Sequence, residues 1–334
     1  MNSDIQKQVL IITNEDDVHA SVVVQELLEL GRPVFRLNTE TLLTKYSVII
    51  EQSDQSETMS LRRRDVGYEI NLENIGAVYF RRPAPVESDN QDETVRTVIL
   101  GEANHFLKWL YAFTSKKWLF GDMHALDKAN SKLLQMSTAR AVGFTVPYTI
   151  LGNNDALIKT ACQSFSSIAI KSIREMGFVE DGTYKAFYTN LIEPSDVQAS
   201  NLENNISFLQ QAIPKQYELR ITYVDGTIIP VKIHSQKGSD EAKIDWRHDW
   251  WYDLEHELVS IPKQLEDQIT EYMQKLGLRF GAFDFIFTPD DKYVFLECNP
   301  NGQWLWLDEM TSSNIAKTIA QSLDRACHNN STVV

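Results

Sequence analysis

Cysteine is scarce. The 334 residues hold Cys162, Cys298 and Cys327, far apart and without a CxxC pair, which excludes a disulfide framework and a zinc site on paired thiolates and fits a reducing, cytoplasmic setting. Long apolar runs are also missing. The N-terminal MNSDIQKQVLIITNEDD breaks off into acid after a few apolar residues, too soon for a signal peptide or for the ~20 residues of a membrane helix. Positive charge is in deficit: 32 Lys and Arg against 46 Asp and Glu leave a formal net charge of -14. Such a field repels phosphate backbones and anionic headgroups, so neither nucleic acid nor a membrane surface is expected as main partner. No GxGxxG follows the first apolar run, which removes the main support for a dinucleotide-dependent dehydrogenase. Internal repeats and low-complexity tracts are absent as well.

What is present is ordinary globular composition, 43% hydrophobic and 23% charged, over a length that makes two or three domains. VLIIT from Val9, a helical segment with Val22, Val23, Leu27, Leu28 and Leu30 closing on Gly31, then PVFRLN, TKYSVIIEQ and AVYFRR predict a small α/β domain with a Rossmann-like open sheet. Asp127 to Val142 reads as one helix, ended by Gly143. SIAIKSI and AFYTNLI, joined by a loop containing Gly177 and Gly182, predict a lid-like hairpin. From Ile206 the pattern turns antiparallel: ISFLQQAI, YELRITYV and TIIPVKI about the Asp225-Gly226 turn, then GAFDFIF and YVFLECN, with helices near Gln264 to Leu276 and Asn314 to Cys327. Pro230 suggests a bulge or an edge.

The last hairpin carries the strongest chemical signal. A turn at Asp290-Asp291 sets Asp284 across from Glu297 and Ala282 across from Asn299. Alternation then puts Asp284, Glu297 and Asn299 on one face beside Ile286 and Phe295, and Phe283, Phe285, Phe287, Val294, Leu296 and Cys298 on the other. Two carboxylates at a Cβ separation of ~5 Å repel each other unless something sits between them. A divalent cation removes the conflict, and two carboxylates with an amide suit Mg²⁺; a shared proton or simple solvation are the other readings.

Cations elsewhere fit that site. Lys171 lies mid-strand in IAIKSI, where an ammonium is costly without an anion. Lys128 falls near the start of the Asp127 helix, where the macrodipole disfavours it unless a ligand compensates. Alone, either lysine is explained by snorkelling or a neighbouring acid; beside the acidic hairpin both read as phosphate clamps. Arg220, in YELRITYVDG, needs a phosphoryl or carboxylate partner, either a ligand or an acid such as Glu218.

The order DKANSK…GFTVP, IAIK, a glycine loop, LQQAIPK, YELR and AFDFIF…FLECNPNG resembles the ATP-grasp superfamily from Asp127 onward. The full chain, with VYFRRP, QQAIPKQYELRIT and KIDWRHDW, is most similar to the microviridin-type macrocyclases, or graspetide synthetases. The resemblance implies an α/β (α+β) ATP-grasp fold: an N-terminal Rossmann-like domain over 1–122, a central lid over 123–205 and a C-terminal antiparallel-sheet domain over 206–334. It implies Mg²⁺ on Asp284, Glu297 and Asn299, ATP phosphates on Lys128 and Lys171, and Arg220 at the transferring phosphate. Adenine is implied against the connector Gln211, Ala212 and Ile213, with Glu218 near the ribose.

The activity so implied is activation of a carboxylate as an acyl phosphate, with ADP released, and displacement of phosphate by a nucleophile. The substrate is a ribosomal precursor peptide whose Asp or Glu side chains are joined to Thr or Ser hydroxyls. Lactam formation with Lys, a glutamate-adding ligase and a non-catalytic nucleotide-binding regulator are the alternatives. His234 or Asp245 is the candidate base for a hydroxyl nucleophile. Arg247 and the Arg81-Arg82 pair are candidates for binding acidic core residues, with surface salt bridges as the alternative. A homodimer is expected from the resemblance alone.

Overall fold

A computed structural model describes residues 6–173, 177–180, 183–186, 189–248 and 253–329. The N-terminal part runs β1 (Gln8–Thr13), α1 (Val18–Glu29), β2 (Val34–Asn38), α2 (Leu42–Lys45), β3 (Tyr46–Gln52), β4 (Glu57–Arg63), β5 (Glu69–Asn71), β6 (Ile75–Phe80) and α3 (Glu93–Thr114). Its parallel sheet has the order β2-β1-β6. The expected third strand, β3, pairs instead with β4, in a separate antiparallel sheet with β5. The reason is visible along β3: beyond Ser47 its residues are exposed on both faces, which a parallel strand covered on both sides does not allow.

The middle part runs α4 (Met123–Ala129), α5 (Lys132–Ala141), β7 (Thr149–Gly152), α6 (Asp155–Cys162), β8 (Ile168–Lys171), β9 (Gly177–Glu180), β10 (Thr183–Ala186), β11 (Asn190–Ile192), α7 (Pro194–Ala199) and β12 (Ser207–Gln211). The single helix expected over Asp127 to Val142 is two. Asn130 caps α4, and Ser131 N-caps α5 by accepting from the Leu134 amide, the competition with helix that Ser and Asn side chains provide. The lid sheet has the order β11-β8-β12-β7, with β9 and β10 forming a hairpin between β8 and β11. The expected strand AFYTNLI is therefore divided between the end of β10 and β11, and parts of its loop, including Gly182, lie outside the described residues. Because β12 pairs with both β7 and β8, a boundary at 205/206 cuts this sheet.

The C-terminal part runs β13 (Tyr217–Val224), β14 (Thr227–Ile233), α8 (Asp240–Ile244), β15 (His256–Leu258), α9 (Lys263–Leu276), β16 (Phe280–Phe287), β17 (Tyr293–Asn299), α10 (Leu305–Thr311) and α11 (Ile315–Asn329). Its sheet has the order β15-β14-β13-β16-β17. Asp225 at φ 50 and Gly226 at φ 94 make the two-residue turn between β13 and β14, the left-handed pair such hairpins require. Pro230 opposes Ile221 without a break in register, just beyond the stretch where β15 pairs; it marks a local edge, not a bulge.

Two buried clusters knit the first and last parts together. Leu10, Phe35 and Leu61 share one with Leu219, Phe283 and Phe295. In the other, Val9, Val23 and Leu27 pack with Ile315, Ile319 and Leu323, the apolar face of α11 at helical spacing. The lid has its own smaller core around Ile158, Ile168 and Leu209. Among the described residues no helix is long and apolar enough to cross a membrane.

Candidate functional site

The hairpin of β16 and β17 is built by two one-residue departures that cancel. Its turn spans Pro289 to Asp291, with Thr288 N–H donating to the Lys292 carbonyl at 3.0 Å and Asp291 at φ 60, one residue longer than the expected turn. A bulge between the turn and the acids restores the register, so Asp284 faces Glu297 and Ala282 faces Asn299. The bulge also exchanges two side chains relative to strict alternation. Phe295 goes into the core opposite Phe285, whereas Leu296 lines the cavity with Ile286.

Asn299 Nδ2 lies 3.4 Å from Asp284 Oδ2 and 3.5 Å from Glu297 Oε1. The three side chains therefore converge. Their charge is balanced by protein cations, a feature not foreseen from the strand pattern. Arg220, directly opposite Asp284 on β13, donates from Nη1 to Oδ1 at 2.8 Å and Oδ2 at 2.7 Å. Lys132 Nζ stands 3.5 Å from Glu297 Oε2. Burial raises the pKa of both carboxyl groups, but Lys132, Arg247 and Lys171 outweigh it at Glu297 and hold that group down to about 2. At Asp284 burial prevails, aided by the Glu297 charge and opposed by Arg220, so its pKa is raised. Glu297 is the more acidic member of the pair.

Beside the acids lies a cavity of about 300 Å³, lined by Ala169, Lys171 and Gln211 on one side and by Lys132, Glu218, Gln236 and the segment from Lys243 to Arg247 on the other. Lys171, at the end of β8, is desolvated; this lowers its pKa to about 8 although Glu297 pulls the other way. The connector sits at the inner end. Gln211 and Ala212 use their amides on the Tyr148 and Ser167 carbonyls, and among the described residues the Ile213 amide has no hydrogen-bond partner. Glu218 is buried, which raises its pKa, and is held by Lys215 Nζ at 2.8 Å.

Five expected site residues sit differently from their anticipated roles. Lys128 is exposed in the last turn of α4 and does not line the cavity; because the helix breaks at Asn130, it is Lys132, at the first position of α5, that meets the acids. The Asn-Ser pair was the sequence signal for this break. Arg220 is buried beneath Asp284 and does not line the cavity; Nη2 donates to the Gln303 carbonyl at 3.1 Å. Its partner is an acid across the sheet, Asp284 in place of Glu218.

His234 is turned toward Glu257, at 3.6 Å, and away from the cavity. Asp245 does line it, but accepts from Arg247 Nε at 2.8 Å, and the hydrogen bonds and charge of Arg247 overcome burial to hold its pKa at about 2. Asp245 is thus engaged by Arg247, which it fixes at the cavity wall.

Arg81 is buried, donating from Nη1 and Nη2 to the Asn301 and Gly302 carbonyls, the latter at 3.2 Å. It clamps the loop that follows Asn299. Its neighbour Arg82 is exposed and lies outside the cavity lining. Arg81→Ala leaves two carbonyl oxygens unpaired at a buried site and should cost about 3 kcal/mol in chemical denaturation. A surface arginine waiting for peptide would change stability by less than about 0.5 kcal/mol.

The family profile of the MvdD pre-ATP grasp domain matches residues 8–126. Among solved structures, the chain is similar to a RiPP-associated ATP-grasp ligase of Chryseobacterium gregarium, in complex with ADP and a leader and core peptide; identity is 26%, coverage 97% of each chain and TM-score 0.86. It is similar to the macrocyclase MdnC of Microcystis aeruginosa, bound with precursor peptide MdnA, at 26% identity over 95% of this chain and 99% of that one, TM-score 0.78. The macrocyclase MdnB of the same organism has 25% identity over 95% and 99%, TM-score 0.72. No curated protein sequence matches.

Proposed function

We propose that the chain, an ATP-grasp ligase by its likeness to RiPP macrocyclases, uses ATP and Mg²⁺ to activate Asp or Glu side chains of a ribosomal precursor peptide as acyl phosphates and joins them to Thr or Ser hydroxyls, closing ω-ester rings. The observation that carries this reading is the pair Asp284 and Glu297, joined by Asn299, in a cavity that Lys132, Lys171 and Arg247 also line.

The donor set fits the metal once the Asn299 amide, whose Nδ2 now faces the acids, turns its Oδ1 inward: two carboxylates and an amide oxygen are hard ligands of the kind Mg²⁺ takes beside phosphates. When bound, that ion supplies neutralisation of phosphate charge. Lys132 and Lys171 hold phosphate oxygens; the desolvated Lys171 ammonium lacks a full counter-charge, which a triphosphate provides. The unpartnered Ile213 amide and the connector backbone take the adenine edge, and Glu218 faces the ribose. Arg220 acts as a positioning residue, fixing the Asp284 carboxylate. Arg247, held by Asp245, binds the acidic side chain to be activated. No separate base is assigned, since acyl-phosphate formation is chiefly a matter of position and charge.

The test is mass spectrometry of a short Thr- and Glu/Asp-rich peptide encoded beside this protein, after incubation with the enzyme, ATP and Mg²⁺. Its mass should fall by one water per ring, and mild alkali should restore it, because esters hydrolyse where lactams persist. An alkali-stable loss of water would establish lactam chemistry in place of esters. ADP release with a free amino acid, and an unchanged peptide mass, would sink the macrocyclase reading.

A further inference from the structure

The strand carrying Glu297 and Asn299 is the edge of its sheet. At Cys298, between those two residues, the backbone N–H and C=O turn outward from β16 into a fully buried position. Buried groups of this kind need partners. Both find one in a single side chain: Cys298 N–H donates to Gln135 Oε1 at 2.9 Å, and Gln135 Nε2 donates to the Cys298 carbonyl at 2.9 Å. The amide acts as one residue of an adjoining strand. Its Nε2 also donates to the Ala129 carbonyl, the last residue of α4, at 2.5 Å. Gln135 is itself buried and sits one turn after Lys132 on α5.

We propose that Gln135 is a positioning residue for the nucleotide–metal site: it fixes Glu297 and Asn299 relative to each other and sets Lys132 against them. The inference rests on the Mg²⁺ and ATP reading above. Both outward backbone groups of Cys298 end on this one side chain. The bulge at Leu296 loosens the pairing with β16 immediately before Glu297, so beyond Glu297 the strand is held by its ladder at Cys298 and Asn299 on one edge and by the Gln135 clamp on the other. Without it, the two ligands would sample a wider set of positions, and the distance from Lys132 to Glu297 would no longer be held through α5.

The experiment uses the full chain and two variants. Gln135→Met keeps shape and helix propensity but removes every hydrogen bond. Met136→Ala opens a void on the same helix at a buried core position. Calorimetric titration of ADP at stepped Mg²⁺ should show the Mg²⁺ midpoint for tight binding rising about tenfold or more in Gln135→Met, the size typical of losing a residue that orients metal ligands. Met136→Ala should lower the melting temperature and leave the midpoint in place. In the absence of nucleotide and metal, amide exchange over residues 296–299 should speed up in Gln135→Met alone.

A Gln135→Met midpoint within about twofold of wild type, against the tenfold typical of such positions, or an equal shift in both variants, overturns the proposal while leaving the metal reading intact. Wild-type ADP binding indifferent to Mg²⁺ would overturn both.

Discussion

Glu297→Gln should lower ATP-dependent turnover on the order of 10³-fold, with the protein still folded, when ADP release is followed at saturating peptide and Mg²⁺. The size follows from two losses at one atom pair. Oε2 is the closest anion to Lys132, and Oε1 is drawn toward Asn299 with Asp284. An amide in its place offers an uncharged ligand to the metal and leaves the cations around it in mutual repulsion. Glu297 is also the charge that supports protonation of Lys171, so removing it drives the Lys171 pKa below its present value and weakens the grip on phosphate near neutral pH.

Asp284→Asn is a poorer test, because Arg220 would lose its bidentate partner. Breaking one side of a buried pair costs about 3–5 kcal/mol in stability, and lost turnover would then be mixed with lost fold. Full activity of Glu297→Gln at ordinary Mg²⁺ would show that these oxygens hold no catalytic ion.

The acids were legible in the sequence because strand alternation and hairpin pairing are strong, local rules. Even so, the pairing was right for a partly wrong reason: a turn one residue longer and a bulge of one residue offset each other between Asp284 and Glu297. Where those offsets act alone, at Phe295 and Leu296, the alternation misassigned the faces. Lys132 was hidden by reading Asp127 to Val142 as continuous helix, although the Ser131 cap was there to be seen.

Arg81, Arg220 and His234 mark a different limit. Their types suit chemistry, but whether a charge reaches a cavity depends on partners far along the chain, such as the Asn301 and Gly302 carbonyls or Asp284. The clamp by Gln135 on Cys298 is of the same sort, since a side chain that substitutes for a missing strand leaves no local pattern. The separation of β3 from the parallel sheet was readable only through its exposed residues, and exposure is a property of the fold.

Nucleotide binding should take up protons near pH 8, through Lys171. Burial lowers its pKa from 10.5 to about 8, so at pH 8 roughly half of the free enzyme carries this lysine neutral. Bound phosphates favour the ammonium and raise the pKa, and binding then draws in about half a proton at pH 8 and almost none at pH 6.5, where the group is already charged. Calorimetry of Mg·ADP binding in two buffers of different ionisation heat measures this directly: the apparent enthalpies should diverge at pH 8 and agree at pH 6.5.

Affinity should fall on the order of tenfold per pH unit above 8, until the pKa of the complex is reached. Stability of the free enzyme responds in the opposite sense. The unfolded chain holds the Lys171 proton up to about 10.5 and the folded chain only to about 8, so this group's contribution grows as pH rises through that window and is lost as pH falls back through 8. Lys171→Arg keeps the charge at every pH and should abolish the buffer dependence while retaining binding. Equal enthalpies in both buffers at pH 8 for the wild type would mean that Lys171 is already fully charged in the free protein and that its desolvation is not the force that prepares it for phosphate.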